Sequence, residues 1–217
     1  MPSNFTHEFI EFVLAQRVLS FGEFRTKAGR ISPYFFDAGL FYDGRSLQRL
    51  AQFYAKAILA AGVEFDQLFG PAYKGIPLVA AVAIALADAN RNVRYSFNRK
   101  EEKDHGEGGV VIGAPLAGRV LIIDDVISAG TSVRQSVGLI SGARATPSGV
   151  VIALDRMERG AGELSAVQEV EQRYRMPVIS IATLDDLVAY LRTDERMSRN
   201  LEAVSGYREQ YGVAAHA

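Results

Sequence analysis

The apolar positions at the start of the chain predict a helix, two short strands and a second helix. Residues at helical spacing predict a first helix that ends near Leu19, and these residues are Phe5, Phe9, Phe12 and Val13. Short strands are predicted at 21–26 and 31–37, on either side of a turn. Asp43 is placed to cap the second helix. Residues 1–42 therefore form a small N-terminal α+β element.

From residue 65 onward, short apolar runs alternate with helical patterns. Strands are predicted at 65–69, 93–97, 120–123, 149–154 and 178–182. Helices are predicted from Pro77 onward and at 131–141, 162–173 and 184–191. This alternation indicates an α/β fold with a mainly parallel sheet flanked by helices, in which ligands bind beyond the carboxyl ends of the strands. The tail after Tyr207 is expected to be a poorly ordered end or a light packing arm.

Residues 99–115 interrupt this alternation. Their sequence, RKEEKDHGEGGVVIGAP, is rich in charge and glycine. It is too polar to pack in a core and too long for an ordinary connection. We therefore interpret it as a mobile functional loop.

Composition excludes several classes of protein. At 217 residues the chain is long enough for one α/β domain with a modest accessory element, and short for two domains. Its 24 Lys and Arg against 25 Asp and Glu lack the broad basic field of a nucleic-acid binder. Without cysteine, disulfides, thiolate catalysis and Cys-ligated zinc are excluded. The start does not resemble a signal peptide, and the longest apolar stretch is shorter than the roughly 20 residues that span a bilayer. We expect a cytoplasmic protein that binds neither nucleic acid nor membrane.

The stretch from Val120 to Ser132, VLIIDDVISAGTS, combines three signals of a ribose-phosphate site. Its apolar run suits a strand that is buried on both faces. Asp124 and Asp125 follow, and they could either cap a helix or hydrogen-bond the two vicinal hydroxyls of a ribose and attract a metal. The small residues at 128–132 allow backbone N–H groups to close around a phosphate at the start of a helix.

This pattern resembles the signature with which the type I phosphoribosyltransferases bind 5-phosphoribosyl 1-diphosphate (PRPP). Other stretches resemble the orotate phosphoribosyltransferases of that family: TKAGR at 26–30, SPYFFDAG at 32–39, GPAYKGIP at 70–77 and FNRKEEKDHGEGG at 97–109. The resemblance implies the type I phosphoribosyltransferase fold, with residues 1–42 as a hood over the base site. It also implies that orotate and PRPP react, with Mg²⁺, to give orotidine 5′-monophosphate and pyrophosphate in pyrimidine biosynthesis.

The resemblance also implies which residues bind PRPP. They are the acid pair Asp124 and Asp125, the loop residues Val126, Ile127, Ser128, Ala129, Gly130, Thr131 and Ser132, and the outlying residues Lys27, Tyr73, Lys74, Arg99, Lys100, Lys103 and His105. Mg²⁺ would be held mainly by PRPP, or through water by either aspartate, with no direct protein ligand. Many relatives carry Thr where Ser128 stands, and both residues have a hydroxyl.

The cations from Arg99 to His105 have two interpretations. They could form a solvated charged loop, neutralised by neighbouring acids. They could instead belong to a lid over the departing pyrophosphate, which the adjacent glycines favour. Lys103 and His105 are the candidates to stabilise or protonate that leaving group, beside the candidate catalytic acids Asp124 and Asp125. The resemblance implies a homodimer in which the loop at 99–109 reaches the partner's site.

The resemblance assigns the binding of orotate to four residues, Phe35, Phe36, Ser128 and Arg156. From the residues alone, the two aromatic side chains could equally be core, and Arg156 could form a salt bridge to Glu158 or Asp155. An arginine can also grip a carboxylate through two parallel hydrogen bonds, and orotate has such a carboxylate. Two rival functions remain at this point: a phosphoribosyltransferase for a purine base, and a PRPP-sensing regulator without activity.

Overall fold

A computed structural model describes residues 4–26, 28–103, 109–160 and 162–213, with only the backbone described at Asn4, Glu102 and Lys103. The helices are α1 (Asn4–Ala15), α2 (Gly44–Ala61), α3 (Gly75–Asp88), α4 (Thr131–Gly142), α5 (Ala166–Tyr174), α6 (Leu184–Leu191) and α7 (Ser198–Tyr211). The strands are β1 (Leu19–Arg25), β2 (Ile31–Phe36), β3 (Gln67–Gly70), β4 (Arg94–Lys103), β5 (Gly109–Gly113), β6 (Arg119–Ile123), β7 (Thr146–Asp155) and β8 (Val178–Thr183). None of the described helices is long and apolar enough to cross a membrane.

Six strands form the central sheet in the order β5-β4-β3-β6-β7-β8. All neighbours are parallel except β4 and β5, which are antiparallel. Helices cover both faces, so the predicted α/β fold with a mainly parallel sheet is confirmed. The strands β1 and β2 form a separate antiparallel pair within the N-terminal element.

The strand β6 lies between β3 and β7, and the side chains of its apolar run are fully buried. Val120 and Ile122 pack in a core cluster with residues of α4 and α5. Leu121 and Ile123 point to the opposite face, into a larger cluster formed with α2, α3 and α6. The continuous apolar run is therefore explained by burial on both faces of the sheet.

The interpretation of residues 99–115 as a mobile loop is wrong for most of that stretch. Residues 94–97 of β4 pair with β3, and the rest of the strand continues as a two-stranded ribbon with β5, in which Lys103 pairs with Gly109. A ribbon needs only its backbone hydrogen bonds and can expose polar side chains, which is why the composition was misleading. Residues 104–108 lie outside the described part.

The C-terminal tail is also more ordered than expected. The helix α7 was not predicted, and it continues through Tyr207 to Tyr211. Tyr207 is buried in the larger core cluster, and the N–H of Val213 donates to the carbonyl of Met157 at 2.8 Å. The tail therefore packs against the turn that follows β7, so for residues 208–213 the structure agrees with the expected packing arm and not with a poorly ordered end.

Some predicted boundaries shift by a few residues for local reasons. The first helix ends before Leu19, which belongs to β1. The helix α3 begins at Gly75, ahead of Pro77. The helix α5 begins only after Ser165, which forms a reciprocal capping box with Gln168.

Candidate active site

Asp124 and Asp125 follow the last residue of β6, at the carboxyl edge of the sheet. Both are nearly buried, with 6% and 9% of their surface exposed. Their backbone is tied to β7, because the N–H of Asp124 donates to the carbonyl of Val151 and the N–H of Ala153 donates to the carbonyl of Asp125. The sheet therefore fixes the position of the acid pair.

Local hydrogen bonds orient the two carboxylates. Asp124 accepts from the N–H of Asp125 at 2.9 Å and from the Ser132 hydroxyl at 2.7 Å. Asp125 accepts from the N–H of Val126 and, through Oδ2, from Lys74 Nζ, each at 2.9 Å. The acid pair is thus linked to the start of α4 on one side and to the loop before α3 on the other.

The electrostatics of the pair favour a cationic ligand. Burial, together with the negative charge of Asp125, raises the pKa of Asp124 to about 7. Burial alone would lower the pKa of Lys74, but its hydrogen bond to Asp125 and the surrounding acids outweigh that effect and raise it. Positive charge brought next to Asp124 would favour its ionised form.

The loop between the acid pair and α4 is anchored at its first two residues. Val126 packs against the larger core cluster and Ile127 lies in the smaller one, on the opposite face of the sheet. Ser128, Ala129 and Thr131 are exposed, whereas Gly130 and Ser132 are half-buried.

Gly130 makes the turn into α4 possible. It precedes the helix with a φ of 64°, in the left-handed region that glycine adopts without a steric cost. The first N–H groups of α4 have no acceptor within the helix, and they lie at the edge of the sheet where Asp124 and Asp125 stand. This arrangement of N–H groups can bind a phosphate.

A second tight loop connects β3 to α3. Gly70 and Gly75 approach each other so closely that a Cβ on Gly70 would lie 2.1 Å from the carbonyl oxygen of Gly75. The peptide bond between Ala72 and Tyr73 is cis. The N–H of Ala72 donates to Asn98 Oδ1 at 2.9 Å, which ties the loop to β4.

This loop presents two side chains to the site. Tyr73 is 65% exposed, and Lys100 Nζ lies 4.4 Å from the centroid of its ring. Lys74 is the residue that reaches Asp125, and the charge of Asp37 at the end of β2 also acts on it. The N-terminal element therefore lies close to the acid pair.

Other predicted PRPP residues are only partly described. Arg99 is half-buried on β4 and Lys100 is exposed. The side chain of Lys103, and all of Lys27 and His105, lie outside the described residues. Their predicted roles remain predictions.

Phe35 and Phe36 point to opposite faces of β2. Phe35 is 44% exposed and stacks on Phe24 with ring centroids 5.4 Å apart. Phe36 is buried in the larger core cluster. Only Phe35 can therefore offer a ring face to a ligand.

Arg156 lies at the carboxyl edge of the sheet, directly after β7, and it is already paired. Its Nε donates to Glu158 Oε1 at 2.8 Å and its Nη2 donates to the Ser32 hydroxyl at 3.0 Å. The guanidinium carbon lies 4.4 Å from the ring centroid of Tyr34. The salt bridge to Glu158, one of the two interpretations of this arginine, is thus present.

Several residues that support the site from neighbouring elements were not predicted from the sequence. The hydroxyl of Tyr54, on α2, donates to the backbone carbonyl of Asp124 at 2.7 Å, and burial raises its pKa well above the usual value. Tyr54 is one of the buried residues of α2, and nothing in its sequence spacing indicates the hydrogen bond. Asn98 and Ser32 are likewise not indicated by any local spacing, whereas Glu158 was predicted only as a salt-bridge partner of Arg156. Over the described ranges, no group of three or more His, Asp or Glu side chains could hold a metal ion.

Comparison with known proteins agrees with this geometry. A family model described as a phosphoribosyl transferase domain matches residues 40–177, which include the acid pair and the loop before α4. The fold and the site thus define a phosphoribosyltransferase. The orotate phosphoribosyltransferases of Thiobacillus denitrificans and Nitrosospira multiformis are 64% and 67% identical to the chain, over 97% and 96% of its length and 100% and 92% of theirs. A crystal structure of the orotate phosphoribosyltransferase of Francisella tularensis has a TM-score of 0.85 at 42% identity, covering 94% of this chain and 99% of that one.

The chain belongs to the orotate phosphoribosyltransferase family. It transfers a phosphoribosyl group from PRPP to orotate, giving orotidine 5′-monophosphate and pyrophosphate in pyrimidine biosynthesis. The predicted family, fold and activity are confirmed, and the two rival functions are set aside.

Proposed function

We propose that PRPP binds at the carboxyl edge of β6, with its ribose hydroxyls on Asp124 and Asp125. Its 5′-phosphate lies in the loop from Val126 to Ser132. The observation that carries this placement is the buried acid pair, held side by side and hydrogen-bonded to Ser132 in the first turn of α4, where the first N–H groups of a helix have no acceptor within the helix. Vicinal hydroxyls match two adjacent carboxylates, and a phosphate matches the helix start.

The diphosphate of PRPP extends from the ribose toward Tyr73 and Lys74. Lys74 is supported in this role by its contact with Asp125, which an incoming diphosphate can share or replace. Lys27, Arg99 and Lys100 add positive charge around the same group. Lys103 and His105 close over it and stabilise or protonate the departing pyrophosphate.

Mg²⁺ fits this site as a companion of the substrate. The acid pair offers carboxylate oxygens, which are hard ligands suited to Mg²⁺ and would contact it through water. One of these carboxylates is already paired with Lys74, so most of the ligands must come from PRPP itself. When bound, Mg²⁺ supplies charge neutralisation of the diphosphate.

Orotate binds between the acid pair and the N-terminal element, which acts as a hood formed by residues 1–42. The exposed ring of Phe35 stacks on the pyrimidine, Phe36 anchors β2 in the core beside it, and Ser128 borders the pocket. Arg156 receives the carboxylate of orotate. The closeness of Asp37 to Lys74 and of Ser32 to Arg156 supports this position of the hood.

The reaction is a displacement at the anomeric carbon of the ribose. The bond from this carbon to the pyrophosphate oxygen lengthens before the bond to the orotate ring nitrogen forms, so that positive charge develops on the sugar. Asp124 and Asp125 stabilise this charge, and the cations stabilise the leaving pyrophosphate. No covalent enzyme intermediate is needed.

The enzyme acts as a homodimer in which the segment at 99–109 completes the partner's site. The ribbon of β4 and β5 supports a shared site, because beyond residue 97 no other described strand pairs with this ribbon and it extends away from the rest of the sheet. Since both substrates are charged metabolites, we place the reaction in the cytoplasm.

Subunit complementation tests the acid pair and the dimer together. Lys103→Ala and Asp125→Asn are each expected to reduce turnover at least 100-fold. In mixed dimers, the site with an intact acid pair receives an intact Lys103 from its partner, so mixing and reassembling the two variants should restore up to about a quarter of wild-type activity. The restored activity is measured as pyrophosphate release in the presence of orotate, PRPP and Mg²⁺. Subunits that exchange without regaining activity would contradict the shared site, and full activity of Asp125→Asn would contradict the placement of PRPP.

A further inference from the structure

The turn after β7 holds Arg156 and Glu158 in a defined arrangement. Between them, Met157 adopts a φ of 50°, in the left-handed region that non-glycine residues rarely enter. Its N–H donates to Asp155 Oδ1 at 2.8 Å, and its carbonyl accepts from the N–H of Val213 at 2.8 Å. The turn is therefore fixed by its own first residue and by the C-terminal segment.

Glu158 and Ser32 occupy one side of the Arg156 guanidinium. The Nε and Nη2 groups contact the same oxygen, Oε1 of Glu158, at 2.8 and 2.5 Å. The Nη2 group also donates to the hydroxyl of Ser32, which itself donates to the carbonyl of Tyr34. Nη1 is the end of the guanidinium that neither Glu158 nor Ser32 uses.

Burial makes this arrangement rigid. The side chains of Arg156 and Glu158 are only 19% and 16% exposed, so water competes little for either charge. The ring of Tyr34 lies under the guanidinium, and its hydroxyl approaches Glu158 Oε1 at 3.4 Å. Tyr207 of α7 packs edge-on against Tyr34, with ring centroids 6.2 Å apart.

We propose that Glu158 is a positioning residue for the orotate site, which fixes the Arg156 guanidinium so that its Nη1 end faces the carboxylate of the base. The proposal rests on the placement of orotate at Arg156 proposed above. Glu158 also occupies the Nε/Nη2 edge of the guanidinium, which is one of the two edges that can form paired hydrogen bonds to a carboxylate or phosphate, and Ser32 takes part of the other through Nη2. The arginine is thereby restricted to an anion that reaches it from the side of the base pocket.

A double-mutant cycle tests whether Glu158 acts through Arg156. Glu158→Ala should raise KM about tenfold for orotate and, in the reverse reaction, for orotidine 5′-monophosphate, because both carry the carboxylate. KM for PRPP and pyrophosphate should change less than about twofold. In an Arg156→Ala background, Glu158→Ala should raise KM for orotate no further.

Each outcome of the cycle has a separate meaning. If Arg156→Ala leaves KM for orotate unchanged, the placement of orotate at this arginine is wrong. If Arg156→Ala raises it but Glu158→Ala does not, the positioning role is overturned. An equal rise from Glu158→Ala in both backgrounds would likewise overturn it, because Glu158 would then act independently of Arg156.

Controls separate positioning from folding. Removing Glu158 leaves a buried arginine without its partner, so Glu158→Ala could fail to fold. Glu158→Gln keeps an acceptor for Nε while removing the charge, and should still raise KM for orotate about threefold; no rise in a folded protein would refute the role. Asp185→Asn breaks an ion pair with Arg208 that ties α6 to α7, and it should leave both KM values unchanged.

Discussion

Asp124→Asn should stabilise the ligand-free protein at neutral and alkaline pH while removing its activity. The carboxyl group accepts from the N–H of Asp125 and from the Ser132 hydroxyl. An amide can keep the first bond with its oxygen and donate to the hydroxyl with its nitrogen, because a hydroxyl both donates and accepts. The variant therefore imitates the protonated form of Asp124.

The size of the expected stabilisation follows from the pKa of Asp124. Burial and the charge of Asp125 raise the pKa of Asp124 from 3.8 to about 7. Between these values the folded protein binds more protons at this site than the unfolded chain, so the free energy of unfolding falls as the pH rises. At about 1.4 kcal/mol per pKa unit, the cost of ionisation is on the order of 4 kcal/mol above pH 7 and vanishes near pH 4.

Urea unfolding at several pH values between about 5 and 8 measures this effect. The difference in free energy of unfolding between Asp124→Asn and wild type should grow across that range. Asp66→Asn is the control, because hydrogen bonds from Arg119 lower the pKa of Asp66 to about 2. The stability from Asp66 is lost only as the pH falls below about 4, so its difference should stay flat from 5 to 8. A flat difference for Asp124→Asn would refute the reasoning.

Three further substitutions test other parts of the site. Tyr54→Phe leaves the buried carbonyl of Asp124 without its donor, so it should cost about 1–3 kcal/mol of stability in a denaturant titration. It should also raise KM for PRPP several-fold in steady-state kinetics. Unchanged stability and unchanged KM would show that the Tyr54 hydroxyl does not support the acid pair. Gly70→Ala forces a Cβ against the Gly75 carbonyl and should destabilise the protein by more than about 2 kcal/mol in thermal unfolding, whereas a neutral effect would contradict the close approach. Lys103→Ala should lower kcat about 100-fold and change KM for orotate little, and unchanged turnover would exclude it from the lid.

The parts of the fold that periodicity specifies were predictable. The apolar run of β6 suited a strand buried on both faces, and an acid pair directly after such a strand is expected at the carboxyl edge of a parallel sheet. The ribbon of β4 and β5 was not predictable, because its polar residues carry no alternation of buried and exposed positions. The helix α7 was not predicted because its apolar residues are sparse, and it is held by the tertiary packing of Val204 and Tyr207.

The candidate site also has a part that the sequence predicts and a part that it does not. Asp124, Asp125 and the loop to Ser132 are contiguous in sequence, so their chemistry could be recognised from residue types alone. Supporting contacts from distant elements could not be recognised in this way: the Tyr54 hydroxyl on α2 donates to the carbonyl of Asp124, and Ser32 on β2 accepts from Arg156. Pairs separated by 70 and 124 residues leave no trace in local spacing.

The position of β6 between two parallel neighbours sets a limit on how this protein can vary. A strand rises about 3.3 Å per residue, and successive side chains point to opposite faces of the sheet. Inserting or deleting one residue between Arg119 and Ile123 would therefore move the acid pair by a full step and exchange the side chains that face the two cores. A change of length is better tolerated outside this strand, as in the ribbon of β4 and β5, because the length of β6 sets the distance from the buried sheet to the reacting sugar.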